Sequence, residues 1–159
     1  MKTSVKIVAY MVFLAVLLTV PSALAQADKL IGVWRITEAK IFAQPDRNQE
    51  ETVIKNHRPG ILIFTKHHFS WVDVHGDPAP ELPEEATLAY FSAAFNQLTA
   101  FSGTYEVKGS SITAPVIVSK DTGAMRDGSV LNFEYKFEGD MLVLTLKAWN
   151  LELKMKRVE

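Results

Sequence analysis

The chain has 159 residues and a mass of 17.8 kDa; 48% of its residues are hydrophobic and 22% are charged. This length suits one domain, with or without an export leader, and the composition argues against a disordered chain, a collagen or a coiled coil. The chain contains no cysteine and has a formal net charge of −1. Disulfide frameworks, thiol catalysis and cysteine-ligated metals are therefore excluded, and nucleic-acid binding has no electrostatic support.

Residues 1–25 have the pattern of a secretory signal peptide. Two lysines precede an almost unbroken apolar run over residues 7–20, and Ala23 and Ala25 place small side chains where signal peptidase cleaves. The run is short for a bilayer core of about 30 Å, so we favour cleavage over an uncleaved membrane anchor. The prediction is an exported mature protein, residues 26–159, in a periplasm or outside the cell, with no membrane span after cleavage.

Strands are predicted wherever apolar and polar residues alternate, because successive side chains of a strand face opposite sides. The first half of the mature chain has three candidates, residues 33–42, 61–65 and 69–74. Between the first two lies a polar stretch, residues 43–58, which predicts a long loop.

One helix is predicted at about residues 84–99, after an irregular proline-rich connector at 76–83. Its apolar residues recur at spacings of three and four: Leu88, Phe91, Phe95 and Leu98. We expect such a stripe to pack against the core rather than to form a lid or a partner surface.

The second half predicts five strands joined by short turns. Gly109-Ser110 and Gly139-Asp140 suit two-residue hairpin turns, and residues 124–129 suit a longer exposed loop. Pro115 lies inside a strand candidate, so that strand is predicted to be bulged there or to lie at an edge. The candidates are residues 102–107, 112–119, 132–138, 142–146 and 149–155.

About eight strands joined mainly by short turns predict an all-β fold, an antiparallel up-and-down barrel with the helix near one mouth. Closure into a barrel removes the two exposed edges that an open sheet would leave. A two-sheet sandwich is the alternative that the pattern leaves open.

Five segments, in order, resemble a bacterial lipocalin-like domain family, the calycin-type β-barrel. The first is Leu30-Ile31-Gly32-Val33-Trp34-Arg35-Ile36, with the Gly-x-Trp signature of a lipocalin opening strand; the others are residues 60–65, 69–70, 103–109 and 137–142. The resemblance covers most of the mature chain and implies a barrel, but no single activity. Ala114-Pro115 stands where such relatives often have polar or histidine residues, so activities that depend on those residues are not carried over.

The resemblance also implies a structural role at one end of the barrel. In lipocalins a basic side chain near the last strand stacks on the signature tryptophan. Here Arg157 continues the apolar face of the last strand, so we predict that it caps Trp34 in a cation–π pair worth about 0.5–2 kcal/mol. Gly32 is expected to let a neighbouring group approach closely.

No catalytic residue, metal site or cofactor is predicted. His67, His68, Asp73 and His75 include metal-ligating types, but His68 and His75 would point to opposite faces of a strand. No serine has a nucleophile-elbow context. Glu134 is expected to face solvent, opposite the aromatic row of its strand.

The aromatic side chains are the best candidates for a ligand site. The five that could line a barrel cavity are Trp71, Tyr105, Phe133, Tyr135 and Phe137. The leading hypothesis is an exported lipocalin-like protein that binds a small apolar or amphipathic molecule in the barrel. One alternative is a packed-core structural or interaction protein of the cell envelope. Another is an isomerase or cyclase on the same scaffold, which would need an ionisable residue inside the barrel.

Overall fold

The computed structural model describes residues 27–44, 46, 48–55, 60–74 and 87–159. The chain divides into two compact units, Met1–Ile31 and Gly32–Glu159. In the described part of the first unit, the N–H groups of Leu30 and Ile31 donate to the carbonyls of Ala27 and Asp28 at 3.0 and 3.3 Å. The predicted signal peptide and its cleavage point lie outside the described residues.

The second unit consists mainly of β-strands. The strands are β1 (Gly32–Ile41), β2 (Thr52–Lys55), β3 (Gly60–Phe64), β4 (His68–Val74), β5 (Leu98–Thr104), β6 (Glu106–Lys108), β7 (Ser111–Ser119), β8 (Val130–Glu138), β9 (Met141–Leu146) and β10 (Leu151–Arg157). The helical segments are α1 (Leu88–Asn96), α2 (Thr122–Arg126) and a 3₁₀ turn at Lys147–Trp149.

Eight of these strands close into an antiparallel barrel. The order around it is β1, β3, β4, β5, β7, β8, β9 and β10, and β10 pairs with β1 to complete the ring. Strand β2 pairs with the second half of β1, and β6 pairs with the beginning of β7. The predicted fold class, an antiparallel barrel of about eight strands, is confirmed, and the sandwich alternative is wrong.

The alternating residues of each strand divide into a buried inner set and an outer set. In β4 the inner residues are Phe69, Trp71 and Asp73, and in β8 they include Phe133 and Tyr135. The barrel has two ends, which we call the Trp34 end, where β1 begins and β10 finishes, and the Asp73 end, where β4 finishes and β8 begins.

The predicted tight turns are confirmed. Gly109 and Gly139 have φ angles of +63° and +66°, in the left-handed region that glycine adopts without a steric penalty. Pro115 lies between the β6 pairing, which includes Glu106↔Thr113, and the β5 pairing, which includes Gly103↔Val116. The register of β5 against β7 shifts close to Pro115, so the predicted bulge is present. Proline has no N–H to donate, and Pro115 lies where the neighbour of β7 changes from β6 to β5.

Helix α1 differs from the prediction in its length and its burial. It is capped by Thr87, whose hydroxyl accepts the Tyr90 N–H at 3.3 Å, and it ends at Asn96, because Leu98 already belongs to β5. The side chains of Leu88, Phe91 and Phe95 are 86%, 54% and 54% exposed. The expectation that this stripe packs into the core was wrong: helical spacing shows that the residues share a side, not that another element covers that side. The helix leads directly into β5 at the Asp73 end, near the predicted mouth.

Three other segments differ from the prediction. A short strand, β2, pairs with β1 inside the predicted long loop. The predicted loop at 124–129 begins inside α2, which Asp121 caps by accepting the Gly123 N–H at 2.8 Å. Trp149 was expected to begin the last strand, but it lies in the 3₁₀ turn, and Asn150 after it adopts a left-handed conformation with φ +50°.

Candidate functional site

An arginine stacks on the tryptophan at the Trp34 end of the barrel. The Arg157 guanidinium carbon lies 4.3 Å from the centre of the Trp34 ring, and the two residues are paired in register on β1 and β10. Gly32 is needed beside them: its φ is +147°, and a Cβ there would meet the Arg157 guanidinium and lie 2.6 Å from the Glu159 carbonyl oxygen. The predicted cation–π contact is present, and its contribution to barrel stability stays a prediction.

The barrel wall has an opening between β8 and β9 near the Asp73 end. Strands β8 and β9 pair only from Glu134↔Thr145 to Glu138↔Met141, so the first half of β8 has no strand on that side among the described residues. A depression of about 390 Å³ lies between this half of β8 and the 3₁₀ turn; we call it the β8 cleft. Its lining combines inner and outer residues of the wall: Ser111, Ile112, Val130, Leu131, Asn132, Phe133, Glu134, Thr145, Leu146, Lys147, Ala148 and Trp149.

Aromatic rings form the floor of the cleft. Phe133 and Trp149 line it directly, and their ring centres lie 6.4 and 5.7 Å from that of Trp71. Phe101 lies 6.1 Å from Trp71 and 5.8 Å from Trp149. These four residues are the aromatic cluster; Trp71 and Phe133 are buried, whereas Trp149 is 41% exposed. Tilted rings at such separations provide an apolar surface on which a flat ligand packs well.

The rim of the cleft is polar and charged. Lys147 Nζ lies 2.6 Å from Glu134 Oε1, an exposed ion pair that joins the 3₁₀ turn to β8. Asn132 and Thr145 add neutral hydrogen-bonding groups to the lining. The prediction that Glu134 faces solvent is confirmed. An apolar floor below a polar rim is the arrangement expected for an amphipathic ligand.

Two buried polar atoms on the inner face of the barrel lack partners. Trp71 Nε1 and Tyr135 Oη have no hydrogen-bond partner within the part of the chain that the structure describes. Burial raises the pKa of the Tyr135 hydroxyl, so this group stays protonated at neutral pH. Buried polar groups are nearly always hydrogen-bonded in proteins, so these two need an explanation.

A buried carboxylate also faces the barrel interior. Asp73 follows Trp71 on the inner face of β4 and is 5% exposed. Gly60 lies opposite it on β3; a Cβ at Gly60 would meet the Asp73 carboxylate and lie 2.8 Å from Ile36 Cδ1. The absence of a side chain at Gly60 therefore makes room for the carboxylate.

The structure brings together only some of the residues predicted to bind a ligand. Trp71 and Phe133 belong to the aromatic cluster, and Tyr135 follows Phe133 on the same face of β8. Tyr105 instead donates its hydroxyl to the Thr65 carbonyl at 2.7 Å and contacts Phe64. Phe137 contacts Trp34, with ring centres 6.0 Å apart. Tyr105 and Phe137 thus belong to the Trp34 end, away from the cleft. Of the histidine group, His68 is exposed and His75 lies outside the described residues.

Trp149 and Phe101 are cluster residues that the sequence interpretation missed. The alternation that runs from Trp149 to Met155 predicts a strand residue at Trp149. Asn150 was the available signal, since asparagine tolerates the left-handed conformation of a tight turn and two paired strands need a turn between them. Phe101 falls between the predicted helix, which ends at about residue 99, and the predicted strand at 102–107, whereas β5 already begins at Leu98.

A second depression, of about 340 Å³, lies on the outer surface between β3 and β7 and includes Ile63, Ile117 and Val118. Neither of the unpartnered buried polar atoms borders it. Among the described helices, none is long and apolar enough to cross a membrane.

Together these features define an eight-stranded antiparallel barrel with a lateral cleft over an aromatic cluster. No family model matches the sequence, and no curated protein matches it. Two solved structures are similar. One is a lipocalin-like protein from Bacteroides uniformis, with 17% identity, a TM-score of 0.46, and coverage of 81% of this chain and 98% of that chain. The other is an uncharacterized protein from Bacteroides eggerthii, with 10% identity, a TM-score of 0.46, and coverage of 80% and 98%. The barrel itself is established by its own strand pairing.

Proposed function

We propose that this protein binds a small amphipathic molecule through the β8 cleft, as an exported lipocalin-like barrel. The observation that carries the proposal is an opening in the barrel wall whose floor is aromatic and whose rim is charged. The apolar body of the ligand packs against Phe133 and Trp149, and its polar end stays at the rim near Asn132 and Lys147. Aromatic contact supplies most of the affinity, because it removes apolar surface from water.

Probe binding tests this proposal. We use N-phenyl-1-naphthylamine, an uncharged dye whose fluorescence rises in apolar surroundings, on the wild type and on Trp149→Ala. The wild type should bind one dye saturably, and Trp149→Ala should weaken binding roughly tenfold, since a buried aromatic contact contributes about 1–2 kcal/mol. Leu88→Ala is the matched control, because Leu88 is exposed on α1 and does not line the cleft. No saturable binding, or equal affinity in the wild type and Trp149→Ala, would overturn the proposal.

A native mass spectrum of protein purified from its own host tests the same proposal without a chosen probe. An extra mass of a few hundred daltons that is lost on unfolding would identify a bound molecule. Retention of that mass by Leu88→Ala and its loss from Trp149→Ala would place the molecule in the cleft.

Export is the second part of the proposal. It is supported by the basic start, the apolar run at residues 7–20 and the small residues before position 26. Protein recovered from the envelope or the medium should begin at Gln26. Recovery of the chain with its leader intact, in a membrane fraction, would favour an uncleaved anchor instead.

Asp73 favours a second candidate function, an isomerase or cyclase on the same barrel. Such an enzyme needs an ionisable group facing the substrate, and Asp73 is a buried inward carboxylate two residues after Trp71. If the protein is an enzyme, Asp73→Asn should carry a different small molecule from the wild type, the unconverted substrate. The same molecule in both proteins would exclude a catalytic role for Asp73.

A further inference from the structure

Two unpartnered donors lie on the inner face of the described part of the barrel, and each adjoins the cleft residue Phe133 without lining the cleft itself. Tyr135 also contacts Phe137, with ring centres 6.0 Å apart. Trp71 lies against Phe133, with ring centres 6.4 Å apart, and Tyr135 is the next inward residue after Phe133 on β8. Trp71 and Tyr135 are 1% and 4% exposed, so bulk water does not reach either group. An indole N–H can only donate a hydrogen bond, whereas a phenol hydroxyl can donate or accept one.

Neither group is explained by the packing of the barrel. A buried donor without an acceptor costs about 1–3 kcal/mol, and an apolar side chain of the same shape would not carry that cost. The remaining inward residues of β8 are apolar. Because each of these groups adjoins the cleft residue Phe133, we infer that a ligand entering from the cleft supplies the missing acceptor.

Trp149 provides the access route. It covers Trp71 at a ring distance of 5.7 Å, yet it is 41% exposed and belongs to a short 3₁₀ turn rather than to a strand. A ligand ring packed against Trp149 is therefore one ring away from Trp71, and a shift of this turn would bring it to the inner face without disturbing the paired strands.

The charged residues of the inner face restrict which chemical group of the ligand can act as the acceptor. Among the inward residues that the structure describes, the only arginine or lysine is Arg157, which stacks on Trp34 at the opposite end. Asp73 follows Trp71 on the same face. A buried carboxylate or phosphate on the ligand would have no cation beside it, and desolvation of such an anion is costly. A neutral oxygen avoids this cost.

We propose that the ligand is an aromatic molecule with a neutral carbonyl oxygen, a ketone, aldehyde, ester or amide, which accepts hydrogen bonds from Trp71 Nε1–H and Tyr135 Oη–H. This inference rests on the proposed function and narrows its ligand class. Burial raises the pKa of Tyr135, so its hydroxyl remains a donor at neutral and mildly alkaline pH.

The test uses two probes of the same shape. 2-Acetylnaphthalene has the carbonyl oxygen, and 2-isopropenylnaphthalene has a CH₂ group in its place. Calorimetry on the wild type should show that the ketone binds roughly 3- to 30-fold more tightly, the gain expected from one or two hydrogen bonds. Tyr135→Phe should reduce this preference by roughly 3- to 10-fold and leave the affinity for the hydrocarbon unchanged.

A control and a spectroscopic measurement complete the test. Tyr105→Phe removes a hydroxyl that already donates to the Thr65 carbonyl, so it should leave both affinities unchanged. The carbonyl stretch of the bound ketone should shift to lower frequency in the wild type and shift less in Tyr135→Phe. Equal binding of both probes by the wild type would overturn the carbonyl inference and leave ligand binding in the cleft standing. Binding of neither probe would overturn both.

Discussion

At the scale of single residues, Gly32 is the most constrained position at the Trp34 end. It combines a φ of +147° with a close approach of the Arg157 guanidinium and the Glu159 carbonyl. Gly32→Ala should lower the free energy of unfolding by about 3 kcal/mol, since it adds a steric clash to an unfavourable backbone conformation. Gly109→Ala is the control: its φ is +63°, but nothing lies within 4 Å of the added Cβ, so the loss should be about 1 kcal/mol. Urea unfolding measures both, and equal losses would show that the close approach at Gly32 is unimportant.

Substitution of Arg157 measures how much its contact with Trp34 contributes to stability. Arg157→Ala should lower the free energy of unfolding by about 1 kcal/mol, because the guanidinium lies 4.3 Å above the Trp34 ring in a partly solvated position. Lys156→Ala removes a neighbouring exposed charge on the outer face and should change stability by less than about 0.5 kcal/mol. A melting temperature of Arg157→Ala equal to that of the wild type would count against the capping role.

Removal of two tyrosine hydroxyls should change the free energy of unfolding in opposite directions. Tyr135→Phe removes a buried hydroxyl without a partner, so the ligand-free protein should become more stable by about 1 kcal/mol. Tyr105→Phe removes a hydroxyl bonded to Thr65 at 2.7 Å and should lower stability by about 0.5–1.5 kcal/mol. The free energy of unfolding at pH 7 checks both, and a loss of stability in Tyr135→Phe would show that the hydroxyl is satisfied in the free protein.

The same residue has a pH signature. Burial raises the pKa of Tyr135 in the folded state, so above about pH 10 the unfolded chain loses this proton before the folded one does. Ionisation of this group therefore does not affect the free energy of unfolding below the unfolded pKa, and it lowers that free energy as the pH rises toward the folded pKa. The free energy of unfolding, measured from pH 9 to 11.5, should therefore fall more steeply in the wild type than in Tyr135→Phe. Parallel curves for the two proteins would contradict the raised pKa of Tyr135.

At the scale of elements, α1 has no buried side chain within the part of the chain that the structure describes. Its residues Leu88, Phe91 and Phe95 have the spacing of a core helix but remain more than half exposed. Leu88→Ser should change the free energy of unfolding by less than about 0.5 kcal/mol, because it removes no buried surface. Phe133→Ala, in the core of β8, should cost about 3–5 kcal/mol. A large loss in Leu88→Ser would mean that α1 is covered in solution.

At the scale of the whole molecule, the strands were predictable and their closure was only partly so. The alternation through Phe133, Tyr135 and Phe137 identifies β8 because the pleat of a strand imposes a period of two on any half-buried sequence. Closure depends on pairing β1 with β10, which lie at opposite ends of the unit, and no local pattern records such a pairing. It was inferred from the cost of exposed edges and from the resemblance, not from the residues of the seam.

The site was predictable to a lesser extent. Trp71 and Phe133 could be selected as inward aromatics from alternation alone. The β8 cleft could not, since it arises where β8 and β9 stop pairing at Glu134↔Thr145, and that point depends on the 3₁₀ turn that carries Trp149. A pattern of apolar residues identifies which face is buried, whereas an opening in a sheet depends on the register between strands.

The pairing of β1 with β10 also predicts how the barrel tolerates circular permutation. The Val33 N–H donates to the Glu159 carbonyl at 3.1 Å, so the end of β10 lies beside the beginning of β1. A circular permutant of residues 26–159, joined by a Gly-Ser linker of about ten residues and opened between Gly109 and Ser110, keeps every strand pair of the barrel. It should fold with the same near-ultraviolet circular dichroism and lose about 1–2 kcal/mol, because a flexible loop costs little entropy and the space around Gly109 is open. The Ser110 carbonyl, which accepts the Tyr135 N–H at 2.8 Å, stays in the chain beside the new end. Opening the chain instead between Trp71 and Val72, within β4, should abolish cooperative unfolding, since it interrupts pairing with both β3 and β5. A permutant opened at Gly109 that fails to fold would show that the β1–β10 seam must form last, from free chain ends.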